Sequence, residues 1–143
     1  MIRISIIGDL FCDVLASTQK LPSWGTDTLA SGIQLLPGGS ALNSAIHASK
    51  YVELKGYQIK ISVCGAVGDD MFSGIMKKAI KDNDIEDHVV VRTGARTGSC
   101  IVMSSNRDRC FVTDRGVVDE MKLDWFQESG IISLETRHLH GIQ

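Results

Sequence analysis

The sequence predicts an α/β fold in which a parallel sheet carries helices and a small second sheet lies beside it. Segments of strand and helix type follow one another in the order β, β, α, β, α, and several strands come after them. Because strands that alternate with helices form parallel sheets with right-handed crossovers, this order predicts a parallel sheet. Residues 28–36 and the hairpin at 100–113 break the alternation, so we expect them to form the second sheet.

Size and charge limit the classes of function. The chain has 143 residues, of which 43% are hydrophobic and 22% charged, and this suits one ordinary domain with a sizeable core. A net charge of −2 with scattered Lys and Arg argues against nucleic acid or an anionic membrane as the main partner. Asp9 and Asp13 interrupt the apolar N-terminal stretch, and no window reaches the length of a membrane span. We therefore expect a cytoplasmic protein.

The cysteines predict neither a disulfide framework nor a metal site. Cys12, Cys64, Cys100 and Cys110 form no C-x-x-C pair, and no histidine stands at zinc-ligand spacing from them. We expect buried free thiols and a reducing compartment. His138 and His140 alternate within a strand-like stretch near the end of the chain, but no third ligand accompanies them, so we expect a structural or solvated pair.

The first half of the chain reads as two strands and a helix. Residues 2–7 predict a short buried strand that ends at Gly8-Asp9, and residues 15–24 are expected to be irregular. Residues 28–36 alternate loosely and predict a strand, which Pro37-Gly38-Gly39 ends. A helix is predicted over 40–54, with Ser40 as its N-cap and a face of small apolar residues that allows close packing on a sheet.

The second half begins with a strand and an amphipathic helix. Residues 59–63 alternate, and a helix with an apolar stripe follows over about 70–82, with Asp69 expected as its N-cap. Residues 89–91, 100–103 and 110–113 predict three short strands, and 105–108 a hairpin turn between the last two. A short helical turn is expected at 124–128, and another strand-like stretch begins at Leu139.

Polar and glycine-rich segments converge on one edge of the predicted sheet. Asp13 follows the first strand, Gly38, Gly39 and Asn43 open the first helix, and residues 65–70 follow the next strand. Ligands of open α/β sheets bind at this edge, beyond the carboxyl ends of the strands. A carboxylate, an amide and the N–H groups of a helix start suit the vicinal hydroxyls of a sugar. Each piece alone also has a structural reading, as a turn, a solvated loop aspartate or a helix cap.

Taken together, these segments resemble the ribokinase-like, or PfkB, family of carbohydrate and nucleoside kinases. The resemblance extends over essentially the whole chain, and the order and spacing of its segments make it fairly specific. The segments are Gly8-Asp9 with Asp13; Gly38-Gly39-Ser40-Ala41-Leu42-Asn43-Ser44-Ala45; Gly65-Ala66-Val67-Gly68-Asp69-Asp70 with Phe72 and Gly74; Asn83-Asp84-Ile85; and Thr97-Gly98.

The resemblance implies a Rossmann-like, doubly wound parallel sheet with a small β-sheet lid over the substrate. By resemblance, Asp13, Gly39 and Asn43 bind substrate hydroxyls, and Gly38 shapes the loop. Ser40 belongs to the same set, although lysine is common there in the family, so the resemblance does not fix which sugar is bound. The lid strands are expected near 28–36 and 99–114, and in many members the lid also forms a dimer interface.

The resemblance also implies parts that this sequence lacks. Family members carry a Gly-Ala-Gly-Asp turn whose aspartate is the general base, and the nucleotide-binding strands lie in the same C-terminal half. We therefore expect residues 1–143 to be the N-terminal, substrate-binding half of such a kinase, with no catalytic base and the base located beyond Gln143. The complete kinase would use Mg-ATP to phosphorylate a hydroxymethyl group of a sugar or nucleoside, and this chain alone would be inactive.

Two other interpretations are available. The chain could be a non-catalytic truncated isoform, or a module that binds or dimerises through its lid strands, whose exposed edges invite pairing. A Rossmann dinucleotide-binding domain is disfavoured. Gly65 and Gly68 lack the first glycine of that fingerprint, and no acidic residue closes a second strand at the required place.

Overall fold

The computed structural model describes residues 2–128, in which seven strands and three α-helices follow one another. The strands are β1 Ile2–Ile7, β2 Phe11–Thr18, β3 Ala30–Gly38, β4 Ile59–Gly68, β5 Glu86–Arg92, β6 Gly98–Ser104 and β7 Arg109–Asp114. The helices are α1 Ser40–Lys55, α2 Met71–Asp82, α3 Leu123–Glu128 and a 3-10 helix at Gly116–Glu120. The strand expected near Leu139 and the histidines His138 and His140 lie outside the described residues.

The predicted parallel sheet is confirmed in the order β1-β4-β5. Its central strand, β4, is buried from Ile61 to Gly68. Helices α1 and α2 pack on the sheet, and the small residues Ala41 and Ala45 of α1 are buried there, which permits the close approach that the sequence predicts. The core cluster also contains the predicted stripe of α2, with Met76, Ala79 and Ile80 buried and Phe72 packed against them.

The predicted second sheet is also confirmed, with four strands in the order β3-β2-β6-β7. Strands β2 and β6 are parallel, and the two outer pairs are antiparallel. The expectation of irregular chain over 15–24 is wrong for residues 15–18, because β2 extends from Phe11 to Thr18 in the middle of this sheet, and it holds for residues 19–24. The polar residues of β2 leave no clear alternation of apolar and polar positions, and the hydrogen-bond ladders to β3 and β6 hold this segment extended.

Both predicted N-caps are displaced by one residue. The N-cap of α1 is Gly39 and not Ser40, which is the first residue of the helix, and no side-chain hydrogen bond caps α1. The N-cap of α2 is Asp70 and not Asp69, since the Asp70 carboxylate accepts hydrogen bonds from the N–H groups of Phe72 and Ser73 at 3.1 and 3.2 Å. The two displacements have opposite directions, since the cap of α1 lies one residue before the predicted one and the cap of α2 one residue after it.

The cysteine prediction holds for three of the four thiols. Cys12, Cys64 and Cys100 are buried, whereas Cys110 is half-exposed on the edge strand β7. Within residues 2–128, no group of three or more His, Cys, Asp or Glu side chains is placed to hold a metal ion. None of the helices in this part of the chain is long and apolar enough to cross a membrane.

Candidate functional site

Asp13 lies inside a strand and not in a loop after the first strand, so that part of the sequence interpretation is wrong. It stands in the third position of β2, between Leu36 of β3 and Cys100 of β6. Its neighbour Cys12 points the other way and belongs to the buried core. The pleat of β2 therefore holds Asp13 on the face of the second sheet opposite to the core.

Gly38 lies directly against the Asp13 carboxyl group. A Cβ built on Gly38 would overlap Asp13 Oδ2 and lie 2.8 Å from Asp13 Cγ. The conformation of Gly38 is open to any residue, so it is the approach of the carboxylate that requires a glycine there. The structure thus brings Gly38 and Asp13 together.

Gly39 connects the second sheet to α1 and is constrained twice. Its φ of 93° lies in the region that favours glycine, and a Cβ there would overlap the Asp9 carbonyl oxygen and lie 2.8 Å from Leu10 Cα. The Asp9 carbonyl oxygen also accepts a hydrogen bond from the Ala41 N–H at 3.2 Å. The turn before α1 is therefore closed against the turn after β1.

Ser40 and Asn43 lie in the first turn of α1, and both are exposed. The Asn43 N–H donates to the Gly39 carbonyl oxygen at 3.0 Å, which closes that turn. Within the described part of the chain, the Asn43 side-chain amide makes no hydrogen bond. An exposed amide, a hydroxyl and the positive end of the helix dipole thus stand beside Gly38 and Gly39.

The Asp13 carboxylate is partly buried and receives no hydrogen bond from the described residues in exchange. Burial raises the pKa of Asp13 above its ordinary value, and among residues 2–128 no group donates a hydrogen bond to it. The pKa of the neighbouring Cys12 thiol is also raised, first by burial and then by the negative charges of Asp13 and Asp70. A desolvated carboxylate with free acceptor positions is well suited to accept hydrogen bonds from a ligand.

The register of the second sheet adds side chains that the sequence analysis missed. Leu36, Cys100 and Thr113 share one row and one face with Asp13, and Cys100 Sγ lies 3.3 Å from Thr113 Oγ1. The next row on this face holds Gln34, Leu15, Val102 and Phe111. Only strand pairing brings these residues beside Asp13, and a single sequence carries no signal for the pairing of β2 with β6.

The glycine-rich segment at 65–70 does not follow the strand as predicted, because residues 65–68 belong to β4, and its role in this arrangement is structural. A Cβ on Gly65 would overlap the Leu10 side chain and lie 2.7 Å from the Gly8 carbonyl oxygen, so this glycine permits close packing of β4 on the turn after β1. Asp70 caps α2 and also bonds to Thr97, whose N–H and hydroxyl donate to its carboxylate at 2.7 Å each. In the sequence, Thr97 stands out only as part of the Thr97-Gly98 segment of the family resemblance.

Comparison with known proteins gives a consistent match. The profile of the family described as "pfkB family carbohydrate kinase" matches residues 1–141. The chain is 31% identical over 116 residues to an adenosine kinase of Dictyostelium discoideum, covering 80% of this chain and 32% of the relative. A ribokinase of Bacillus subtilis is 26% identical over 122 residues, covering 85% of this chain and 40% of the relative.

A solved structure extends the comparison to the fold. The ribokinase of Arabidopsis thaliana, solved in complex with ribose and ATP, superimposes with a TM-score of 0.65 at 22% identity. The superposition covers 78% of this chain and 35% of the plant enzyme. The chain thus spans between about a third and two fifths of the length of these proteins.

Proposed function

The chain belongs to the pfkB family of carbohydrate kinases and has the ribokinase-like fold, and from this premise we propose that it holds the hydroxyl-bearing acceptor of a sugar or nucleoside kinase. The acceptor lies between the Asp13 face of the second sheet and the first turn of α1. One observation carries this proposal: the partly buried Asp13 carboxylate lies over Gly38 beside the start of α1, with no hydrogen-bond partner among residues 2–128.

The chemistry of the site suits a polyhydroxy ligand. An ionised carboxylate accepts two or more hydrogen bonds, so Asp13 can accept hydrogen bonds from neighbouring hydroxyls of the ligand. Ser40 and the Asn43 amide provide donors and acceptors for the remaining oxygens, and the positive end of α1 favours oxygen atoms. Leu36 and Cys100, on either side of Asp13, supply apolar contact for the carbon skeleton and exclude water.

The complete reaction requires a phosphoryl donor, which the family implies to be Mg-ATP. The described residues do not fit Mg-ATP. They contain no cluster of three metal-ligating side chains, and no second glycine-rich turn that ends in an aspartate without a structural role. We therefore assign no step of phosphoryl transfer to these residues. We propose that residues 1–143 form the acceptor half, with lid strands near 28–36 and 99–114, and that a C-terminal half beyond Gln143 supplies the donor site and the general base. The short coverage of the relatives supports this division.

We expect the 143-residue chain to bind an acceptor and to hydrolyse or transfer no ATP above background. Ribose and adenosine are the two probes, chosen because the relatives are a ribokinase and an adenosine kinase. Isothermal titration calorimetry measures binding, and a coupled ADP assay measures turnover. If neither ribose nor adenosine binds saturably, the acceptor proposal is wrong. If the purified chain turns over ATP, the division into halves is wrong.

Acceptor affinity is expected to fall as the pH is lowered, beginning above the pH at which an exposed aspartate titrates. Burial raises the pKa of Asp13, so its carboxylate gains a proton, and loses acceptor capacity, at a higher pH. The effect on stability has the opposite sign. The folded chain holds this proton more tightly than the unfolded chain, so this contribution is present at low pH and is lost as the pH rises through the raised pKa. Calorimetry and urea unfolding across the same pH range would measure both trends, and affinity that does not change with pH would contradict the role of Asp13.

The opposite face of the second sheet supports a further part of the proposal, a homodimer. Two successive rows on that face contain only apolar residues, and several are well exposed: Ile33 at 68%, Val112 at 60%, Ile101 at 46% and Leu35 at 43%. A contiguous apolar face of this kind is typical of an interaction surface. We propose that a second copy of the chain covers it, with the two lid sheets face to face.

Replacing Val112 with lysine is expected to shift the chain from dimer to monomer. A charge in the middle of an apolar interface loses its hydration and finds no partner, so dimer affinity should fall at least about tenfold. Sedimentation velocity at several concentrations measures the change. Leu54→Lys is the matched control, because Leu54 is 79% exposed on α1, away from this face. Equal dissociation constants for wild type and Val112→Lys would exclude this interface.

A further inference from the structure

The two sheets are joined at two places that differ in construction. The first junction, here the glycine junction, consists of the turn after β1 and the turn before α1, at residues 8–10 and 38–41. The second, here the threonine junction, consists of the segment before β6, the segment after β7 and the turn after β4, at residues 96–98, 114–117 and 68–70. Every passage of the described chain between the sheets lies in one of these two junctions.

The threonine junction is held by side chains. Thr97 is buried at 1% exposure, and its hydroxyl donates to Asp70 Oδ1 at 2.7 Å while it accepts from the Gly68 N–H at 3.0 Å. The Thr97 N–H donates to the other carboxylate oxygen of Asp70 at 2.7 Å. A single threonine therefore bonds the end of β4, the start of α2 and the start of β6 to one another.

Asp70 is satisfied on all sides in this junction. Burial by itself raises the pKa of Asp70, but the hydrogen bonds from Thr97, Ser73 and Phe72 outweigh it and hold the pKa below its ordinary value. The backbone of the passing segment adds to the junction, since the Val117 N–H donates to the Arg96 carbonyl oxygen at 2.8 Å. Bonds that an ionised carboxylate accepts are stronger than neutral ones, so this junction resists bending.

The glycine junction lacks comparable bonds. The Ala41 N–H donates to the Asp9 carbonyl oxygen at 3.2 Å, but within the described residues no side-chain hydrogen bond crosses from one sheet to the other there. Two of its residues, Gly8 and Gly39, have positive φ angles. The glycine junction therefore depends on close backbone packing, whereas the threonine junction depends on side-chain hydrogen bonds.

From this asymmetry we infer that Asp70 and Thr97 are positioning residues, which fix the second sheet to the parallel sheet at one junction and so set the angle at which the Asp13 face meets α1. Neither residue contacts the acceptor, and both act through the orientation of the sheet that carries Asp13. The statement about the acceptor rests on the proposed function, whereas the mechanical role of the junction does not.

The experiment compares three variants of the full 143-residue chain without ligand. Thr97→Val keeps the shape and removes both hydroxyl bonds, Thr97→Ser keeps the hydroxyl, and Asp70→Asn keeps a good helix cap but loses the charge. Residual dipolar couplings of the backbone amides report the orientation of the two sheets. In wild type, we expect one alignment tensor to fit the couplings of both sheets.

In Thr97→Val we expect the couplings of the second sheet to require a separate alignment tensor with a smaller order parameter. We also expect the Gly68 amide proton to exchange with solvent about tenfold faster than in wild type. Thr97→Ser should behave as wild type. One tensor in Thr97→Val with the order of wild type would overturn the inference, and so would an equal loss of order in both sheets. If Thr97→Val does not fold, the same measurement on Asp70→Asn decides whether the second sheet needs a separate tensor or shares that of the parallel sheet.

A fourth variant separates this inference from the proposed function. Asp13→Asn should lose acceptor affinity but keep the single tensor of wild type, because Asp13 makes no bond in the threonine junction. Failure to bind any acceptor would therefore count against the proposed function alone. A single tensor in every variant would count against the positioning role alone.

Discussion

Replacing Gly39 with alanine is expected to lower the free energy of unfolding by about 3 kcal/mol, the largest effect of any single methyl group that we anticipate in this chain. Two causes add. At φ 93° and ψ 148°, Gly39 occupies backbone space that is almost closed to residues with a Cβ. The Cβ would also overlap the Asp9 carbonyl oxygen, which is backbone and cannot turn aside as a side chain would. Urea unfolding followed by circular dichroism measures the loss.

Two other glycines separate these causes. Gly25 has a φ of 70°, but a Cβ there meets nothing within 4 Å, so Gly25→Ala reports the cost of a positive φ without any overlap and should lower the free energy of unfolding by about 1 kcal/mol. Gly32 has neither a positive φ nor a neighbour within 4 Å, so Gly32→Ala should be neutral within about 0.5 kcal/mol. A loss for Gly39→Ala no greater than that for Gly25→Ala would show that the turns before α1 and after β1 are not closed against each other.

The elements that the sequence predicts well are those whose own pattern matches their burial. In α2 the apolar stripe recurs at helical spacing and faces the parallel sheet, so the sequence alone indicates both the helix and its buried side. The same holds for β6, whose apolar run ends at a turn rich in polar residues, whereas β7 is recognised by its apolar run although most of it is exposed. For these elements, local preference and tertiary packing agree.

The elements that the sequence predicts poorly are those that their neighbours determine. Strand β2 carries Asp13, Ser17 and Thr18 and shows no strand pattern, yet ladders to β3 and β6 fix it in the centre of its sheet. The site itself follows from the same pairing. The residue types at 13 and 38–43 can be selected from the sequence. The contact of the Asp13 carboxylate with Gly38, however, depends on the register of β2 with β3, and β3 begins only at Ala30, 17 residues after Asp13.

Replacing Asp13 with asparagine is expected to weaken acceptor binding about 30-fold while leaving the chain at least as stable as wild type. The amide keeps the size of the side chain, but it loses the charge that strengthens each hydrogen bond and one of the two acceptor oxygens. Bonds to a charged group contribute about 1 kcal/mol more than neutral ones, so two hydroxyls account for a loss of about that size. Stability should not fall, because burial disfavours the ionised form of Asp13 and the substitution removes that cost.

The combination of lost affinity and retained stability distinguishes a binding carboxylate from a structural one. A structural aspartate such as Asp70 carries hydrogen bonds from its own chain, and its pKa is lowered, so its replacement costs stability first. Asp13 has the opposite profile, with a raised pKa and no partner among residues 2–128. Asp9→Asn is the control, because Asp9 serves the site through its carbonyl oxygen, which the substitution leaves in place. Calorimetry that gives equal acceptor affinities for Asp13→Asn and Asp9→Asn would remove Asp13 from the site, whatever the similarity of the chain to its relatives.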